Sequence, residues 1–133
     1  MAHVYQYLES LEEFYQIQTT SSQAVIIYSA AWCGPCKLLK EWLDTKYKGF
    51  PHPIVVVDVE NTDLAVLYEH VSGLPTIEFL KDGQKVGEMV GYKKADLEPI
   101  LEEMRKEVTP SPVEAPKQDS PKGVTKISME DMF

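Results

Sequence analysis

The sequence has few of the features that an extracellular, membrane-spanning or nucleic-acid-binding protein would need. Its 133 residues include only two cysteines, which lie three residues apart and therefore cannot staple distant parts of a secreted fold. No apolar run is long enough to cross a bilayer. The 21 acidic and 13 basic residues give a net charge of -8, which repels nucleic-acid phosphates and anionic lipids. The N-terminus has neither a basic start nor a continuous apolar stretch, so we expect a cytoplasmic location.

The composition divides the chain into one domain and a tail. Hydrophobic residues make up 44% of the sequence and charged residues 26%, which is typical of a soluble globular protein. Beyond residue 107 the chain contains Pro110, Pro112, Pro116 and Pro121 among serine, threonine and lysine. Such a segment can neither bury much apolar surface nor hold a helix. We therefore predict a single domain over residues 1–107 and a mostly disordered tail over residues 108–133.

Strands and helices alternate along the predicted domain. The predicted strands cover residues 4–8, 24–30, 53–59, 75–80 and 84–90. The predicted helices open at Ser10, run over 33–46, and run over 94–107. A short helix capped by Asn61 or Thr62 is also predicted, because Leu64, Leu67, Tyr68 and Val71 have the spacing of one apolar helix face. Continuous apolar runs in the second and third strands are typical of strands covered on both faces, and Asp82 with Gly83 predicts a hairpin with a two-residue loop. The order βαβαβαββα indicates an α/β fold in which helices flank both faces of a mixed sheet.

Both cysteines lie where the second strand gives way to the second helix. Unpaired N–H groups and the positive end of the helix dipole surround the sulfur of Cys33, and this field favours the thiolate. Because the thiolate is the species that attacks disulfides, Cys33 is the candidate nucleophile. Cys36 lies one helical turn further on and is the candidate resolving thiol. Between them, Gly34 adds no bulk and Pro35 suits the first turn of a helix.

Two other interpretations of the cysteine pair remain open at this point. A Cys-x-x-Cys pair also forms half of a structural zinc site, but zinc needs four ligands and only His3, His52 and His70 could add to the pair, at spacings that do not help. The cysteines could also be packing residues, although packing gives no reason for Gly-Pro between them. The strand–helix–strand context favours a redox pair over either alternative.

The residues Trp32-Cys33-Gly34-Pro35-Cys36-Lys37 resemble the active-site hexad of thioredoxins. The similarity extends to VDV at 57–59, to Leu74-Pro75-Thr76 and to FLKDGQKVGE at 79–88, and it covers about residues 4–107. It implies the thioredoxin fold, with a central mixed five-stranded sheet and four helices. It also implies an enzyme, a protein thiol–disulfide oxidoreductase that reduces protein disulfides.

The resemblance further implies roles for individual residues. Pro75 would follow a cis peptide bond, and the backbone of Leu74 would pair with an extended substrate segment. Trp32, Gly73 and Gly91 would complete an apolar docking surface around a partly exposed Cys33. The protein would act as a monomer, its partners would be disulfide-containing proteins and a thioredoxin reductase, and it would need no bound cofactor because the dithiol holds the electrons.

The sequence departs from the family at the position where thioredoxins usually carry a buried aspartate. That residue helps to move the proton of the resolving thiol, but here the position is Ile27, and a frequent charged neighbour is replaced by Val56. Asp58 or Glu60 could take over the proton, but we interpret Asp58 as the end of a strand and Glu60 as a solvated side chain.

A second hypothesis treats the protein as a binding module rather than an enzyme. It would keep the thioredoxin fold and join an assembly through its acidic surface or its tail. The tail ends in KISMEDMF, where Ile127, Met129, Met132 and Phe133 lie among acids and could fold against a groove.

Overall fold

Five strands and four helices make up residues 3–106, the part of the chain that our computed structural model describes. The strands are β1 (Gln6–Tyr7), β2 (Gln23–Ser29), β3 (Ile54–Asp58), β4 (Thr76–Lys81) and β5 (Gln84–Val90). The helices are α1 (Leu11–Thr20), α2 (Gly34–Lys46), α3 (Ala65–Tyr68) and α4 (Lys94–Lys106), and a 3-10 turn, Thr62–Leu64, precedes α3. The predicted tail over 108–133 lies outside the described residues.

The strands form one mixed sheet in the order β1-β3-β2-β4-β5. β1 and β2 each pair with β3 in parallel, while β2 with β4 and β4 with β5 pair antiparallel. Parallel neighbours need crossover connections, and α1 and α2 provide them. This topology confirms the predicted α/β class with its central five-stranded sheet.

Apolar clusters cover both faces of the sheet. On one face, which we call the α2 face, Val25 and Ile27 of β2 pack with Leu39 and Leu43 of α2, and this cluster also includes Leu97 of α4. On the opposite face, the alternate residues of β2, Ala24, Ile26 and Tyr28, pack with side chains from α1 and α3. Because successive strand residues point to opposite faces, every residue of β2 is buried. This explains why the strand is apolar without alternation.

Local hydrogen bonds account for several of the predicted boundaries. The Ser10 hydroxyl accepts a hydrogen bond from Glu13 N–H at 3.2 Å, which caps α1. In the β4–β5 loop, Asp82 and Gly83 have φ values of 53° and 81°. Two successive positive φ values are typical of a tight hairpin turn with a two-residue loop. A Cβ atom on Gly83 would lie 2.9 Å from the backbone oxygen of Gln18 in α1, so glycine is also needed for space.

Two elements are shorter than predicted. The first strand has two residues instead of five. At its start, Val4 N–H donates to the Asp44 carboxylate of α2 at 2.8 Å rather than to the sheet, whereas Leu8 N–H just after it still donates to the Val56 carbonyl. The Asn61 side chain caps the 3-10 turn Thr62–Leu64, and α3, which follows that turn, ends at Tyr68. Val71 therefore lies beyond the helix to which its spacing assigned it.

Candidate active site

The two cysteines form a disulfide at the first turn of α2. Their Cα atoms are 5.3 Å apart. Cys33 occupies the N-cap position, where its sulfur accepts a hydrogen bond from Cys36 N–H at 3.2 Å. Pro35 lies in the same turn and has no N–H group to leave unpaired. The backbone therefore directs its unpaired N–H groups and the positive end of the helix dipole towards the Cys33 sulfur, as the sequence predicts.

Both cysteines are buried, Cys36 as predicted and Cys33 more than predicted. Cys36 is 0% exposed, and Cys33, which we expected to be partly exposed, is only 5% exposed. The reason is local packing, since both lie in a small cluster with Ala30 and with the partly buried Val59 and Leu74. A partner therefore has to reach Cys33 through a concave surface.

That surface is a groove of about 590 Å³ beside the disulfide. Six predicted site residues line it, and these are Trp32, Cys33, Gly34, Pro35, Gly73 and Leu74. Cys36 does not line the groove, so Cys33 is the sulfur that borders it. Four lining residues were not predicted as site residues: Val59, Tyr68, Val71 and Ser72. Tyr68 and Val71 belong to an apolar pattern that the sequence assigns to the core, because lining a groove and packing a core require the same kind of residue.

The loop opposite the cysteines contains the predicted cis peptide bond, between Leu74 and Pro75. The carbonyl of Pro75 accepts a hydrogen bond from Gly91 N–H at 2.7 Å, and the Thr76 hydroxyl donates to the Gly73 carbonyl at 2.6 Å. Pro75 and Gly91 thus support the loop from behind and do not line the groove. Within residues 3–106 the backbone of Leu74 makes no hydrogen bond, so its N–H and C=O groups are free to pair with another chain.

Glycine suits the backbone at two positions around this loop. A Cβ atom on Gly73 would lie 3.1 Å from the Cγ1 atom of Val90, which is closer than most real contacts. Gly91 has a φ of 93°, a backbone conformation that side chains disfavour. Both glycines therefore shape the loop through the backbone and contribute no chemical group.

Trp32 forms the exposed rim of the groove. Its side chain is 69% exposed, and its indole N–H donates to a Glu60 carboxylate oxygen at 3.0 Å. Glu60 is exposed, as our interpretation of a solvated side chain predicts, and its carboxylate in addition orients Trp32 through this bond. Asp58 ends β3 as expected, and its carboxylate accepts a hydrogen bond from Glu60 N–H at 2.8 Å.

The position of the family's buried aspartate is apolar in this protein. Ile27 is 1% exposed on the α2 face, and its partners in the neighbouring strands are Val56 in β3 and Ile77 in β4. All three side chains belong to the same apolar cluster. A carboxylate is therefore replaced here by well-packed hydrocarbon.

The histidines considered as zinc ligands are engaged elsewhere. His52 hydrogen-bonds the Met104 carbonyl at 2.8 Å, and His70 and His3 each pair with a carboxylate. Across residues 3–106, no group of three or more histidine, cysteine or acidic side chains is arranged to hold a metal ion. Over the same part of the chain, no helix has the length and apolar character that crossing a membrane requires.

A cysteine pair at the start of a helix, beside a cis-proline loop on a mixed sheet, defines a thiol–disulfide oxidoreductase. The thioredoxin family model matches residues 7–106 of this chain. Thioredoxin of Oryctolagus cuniculus is 35% identical over 101 residues, which cover 73% of this chain and 95% of that protein. Thioredoxin of Homo sapiens is 37% identical over 81 residues, covering 60% of this chain and 77% of that protein.

A solved structure supports the same relationship. Mitochondrial thioredoxin 3 of Saccharomyces cerevisiae, in its oxidised form, matches with a TM-score of 0.65 and 29% identity, covering 74% of this chain and 94% of that one. The chain belongs to the thioredoxin family, and it is a thiol–disulfide oxidoreductase of protein substrates. The alternative of a binding module without this activity is not favoured, because the close cysteine pair is intact.

Proposed function

We propose that Cys33 is the attacking thiol and Cys36 the resolving thiol in the reduction of protein disulfides. The observation that carries this assignment is the different access of the two sulfurs. Cys33 borders the groove and caps α2, whereas Cys36 is 0% exposed and does not line the groove. A protein substrate can therefore reach the first sulfur only, and the second can act only on a bond that Cys33 has already made.

The substrate binds along the groove in an extended conformation. The free N–H and C=O groups of Leu74 pair with the backbone of the substrate, as a neighbouring strand would. Trp32 and Gly73 contact the side chains on either side of the substrate disulfide, and Pro75 and Gly91 hold the loop in the shape that allows this pairing. The apolar parts of the groove exclude water from the sulfur atoms as the substrate binds.

The reaction takes place in two exchanges. The Cys33 thiolate attacks one sulfur of the substrate disulfide, the substrate S–S bond breaks, and the other substrate sulfur leaves and takes up a proton. Cys36 then loses its proton and attacks the Cys33 sulfur, and the second substrate sulfur leaves and is protonated. Two electrons pass from the dithiol to the substrate, and the protein is left with the Cys33–Cys36 disulfide seen in the structure.

The partners follow from this electron balance. Each cycle consumes two electrons, so we propose that a thioredoxin reductase restores the dithiol and that no bound cofactor is needed. The protein works as a monomer on disulfide-containing proteins, and neither nucleic acid nor membrane takes part, as the net charge of -8 favours. We place it in the cytoplasm, a compartment that keeps thiols reduced.

Cysteine variants test the proposed roles. We expect Cys33→Ser to abolish the reduction of a model protein disulfide with dithiothreitol as electron donor. Cys36→Ser should still attack and should accumulate a covalent adduct with the substrate, visible by mass spectrometry. The double variant, which has no thiol left, is the matched control. Full activity of Cys33→Ser, or an adduct formed by Cys33→Ser instead of Cys36→Ser, would contradict the assignment.

A further inference from the structure

The resolving step poses a problem of proton transfer. The Cys36 thiol must lose its proton before it can attack, yet Cys36 is fully buried. Burial in apolar surroundings disfavours the thiolate. Ile27, which occupies the position of the family's buried aspartate, can accept no proton. Some polar group near Cys36 has to serve instead.

One hydroxyl group in this region has no partner. Ser29, the last residue of β2, is 2% exposed, and its Oγ atom is the one buried side-chain oxygen or nitrogen within residues 3–106 that makes no hydrogen bond. An unpaired buried hydroxyl lowers the stability of the folded state, because it gives up its hydrogen bonds to water and gains none in return. Such groups are uncommon in native proteins and call for an explanation, one of which is a role in chemistry.

The chain path places Ser29 next to Cys36. Ser29 follows Ile27 by two residues and so points to the same α2 face of the sheet. Only four residues separate Ser29 from the start of α2, and Cys33 N–H donates to the Ala30 carbonyl at 3.1 Å in the tight turn between them. Helix α2 then runs back along β2, since Leu39 and Leu43 pack with Ile27 and Val25. Cys36 precedes Leu39 by about one helical turn, which puts it over the end of β2, where Ser29 lies.

A carboxylate lies on the same face of the sheet, in the neighbouring strand. Asp58 is the partner of Ser29 in the parallel β2–β3 pairing, and partners in register point to the same face. Asp58 is partly buried, and the Glu60 N–H bond fixes one of its oxygens. The other ionisable groups at this end of the sheet point elsewhere or are solvated. Glu60 accepts from Trp32, Lys40 donates to the Tyr7 hydroxyl, and Lys37 is exposed.

We propose that Ser29 hydrogen-bonds the Cys36 thiol once the disulfide has opened and passes its proton to Asp58. As the Cys36 sulfur bonds to Cys33, the bond between Cys33 and the substrate breaks and the substrate sulfur leaves as a thiolate. The Cys36 proton passes to the Ser29 hydroxyl, which releases its own proton to the Asp58 carboxylate, and Asp58 returns it to solvent, where the substrate thiolate is protonated. In the oxidised protein the hydroxyl bonds neither group, so this relay requires Ser29 to turn about its Cα–Cβ bond towards Cys36 and Asp58 when the disulfide opens. This inference rests on the proposed roles of Cys33 and Cys36.

Stopped-flow reaction of the full-length reduced protein with excess 5,5′-dithiobis(2-nitrobenzoic acid) separates the two steps. Attack by Cys33 releases one coloured thiolate, and resolution by Cys36 releases the second. We expect Ser29→Ala to slow the second release by about tenfold or more near neutral pH, within the usual range for a lost proton-transfer group, and to leave the first release unchanged. The defect should shrink as the pH rises past the ordinary thiol pKa of about 8.5, since hydroxide then removes the proton.

Matched variants keep a role in catalysis distinct from a role in packing. Ser29→Thr retains the hydroxyl and should restore the second release, while Asp58→Asn keeps the oxygen that Glu60 binds and should slow the second release as Ser29→Ala does. Equal rates of second release in wild type and Ser29→Ala, equal slowing of both releases, or a defect that persists at high pH would overturn the inference. Absence of any first release in the wild type would instead refute the proposed role of Cys33.

Discussion

Replacing Ile27 with aspartate tests the reasoning about the apolar surface beneath Cys36. The Ile27 side chain is 1% exposed and packs in one cluster with Val56 and Ile77. Ile27→Asp would put a carboxyl group into that cluster and remove a large apolar side chain from it. We expect a folded protein that is much less stable than the wild type.

The size of the loss follows from two terms. Removing a fully buried isoleucine side chain costs about 2–3 kcal/mol of burial free energy. Burial of the carboxyl group raises its pKa, by about three units or more for a group with this little exposure, and each unit costs about 1.4 kcal/mol at a pH where the unfolded chain is ionised. The free energy of unfolding should therefore fall by about 6 kcal/mol at neutral pH, a large part of the roughly 5–15 kcal/mol that holds a typical domain together.

The pH dependence gives this prediction its sharpest test. Because the folded-state pKa of the new aspartate is raised above its unfolded value of about 3.9, the penalty should be smallest below that value and should grow as the pH rises towards the folded-state pKa. Urea unfolding of the oxidised protein, repeated from acidic to neutral pH, measures how this loss in the free energy of unfolding depends on pH. Ile27→Asn is the matched control, since it is polar and similar in size but does not titrate. An Ile27→Asp protein as stable as the wild type, or a loss no more dependent on pH than that of Ile27→Asn, would refute the reasoning.

Three further substitutions test other parts of the fold by urea or thermal unfolding. Tyr28→Phe removes the 3.0 Å hydrogen bond that the hydroxyl donates to the buried Glu78 carboxylate, and we expect a loss of about 2 kcal/mol in the free energy of unfolding. Gly83→Ala forces a Cβ atom against α1 at a φ of 81°. It should reduce the free energy of unfolding by more than about 1 kcal/mol and so lower the melting temperature. At Asp44 burial works against the charge, but hydrogen bonds from Val4 N–H and from His3 prevail and lower the pKa. Stability should therefore fall as the pH drops through that lowered pKa, by less than about 1 kcal/mol at this partly exposed site. Asp44→Asn should remove this dependence in unfolding measured between acidic and neutral pH.

The parts of the fold that were predictable from sequence are those fixed by local chemistry. Continuous apolar runs mark β2 and β3 because both faces of these strands are covered. Asp82 and Gly83 define the β4–β5 loop because few residue pairs accept positive φ values at both positions. The spacing of Cys33 and Cys36 places both thiols on one turn of a helix wherever that helix lies.

The features that escaped prediction depend on contacts between distant residues. At the start of the first strand, Val4 N–H donates to Asp44, 40 residues away, rather than to the sheet, and nothing near Val4 in the sequence signals it. Tyr68 and Val71 line the groove although their spacing indicates a core-facing helix. The unpaired hydroxyl of Ser29 is equally invisible in the sequence, since serine at a strand end is common and only the packing shows that it has no partner.

In the mechanism that we propose, the two halves of the reaction depend on different parts of this structure. Cys33 is activated by the start of α2, that is, by backbone N–H groups and peptide dipoles that any sequence forming this helix supplies. Cys36 receives no such help, because its sulfur is enclosed by side chains and the ease of its deprotonation depends on which side chains those are. Substitution of the family's acid by Ile27 can therefore leave the attack on a substrate intact while it changes the rate of product release. The side chains beneath α2 accordingly set how long the mixed disulfide persists, and they do so without any contact with the substrate.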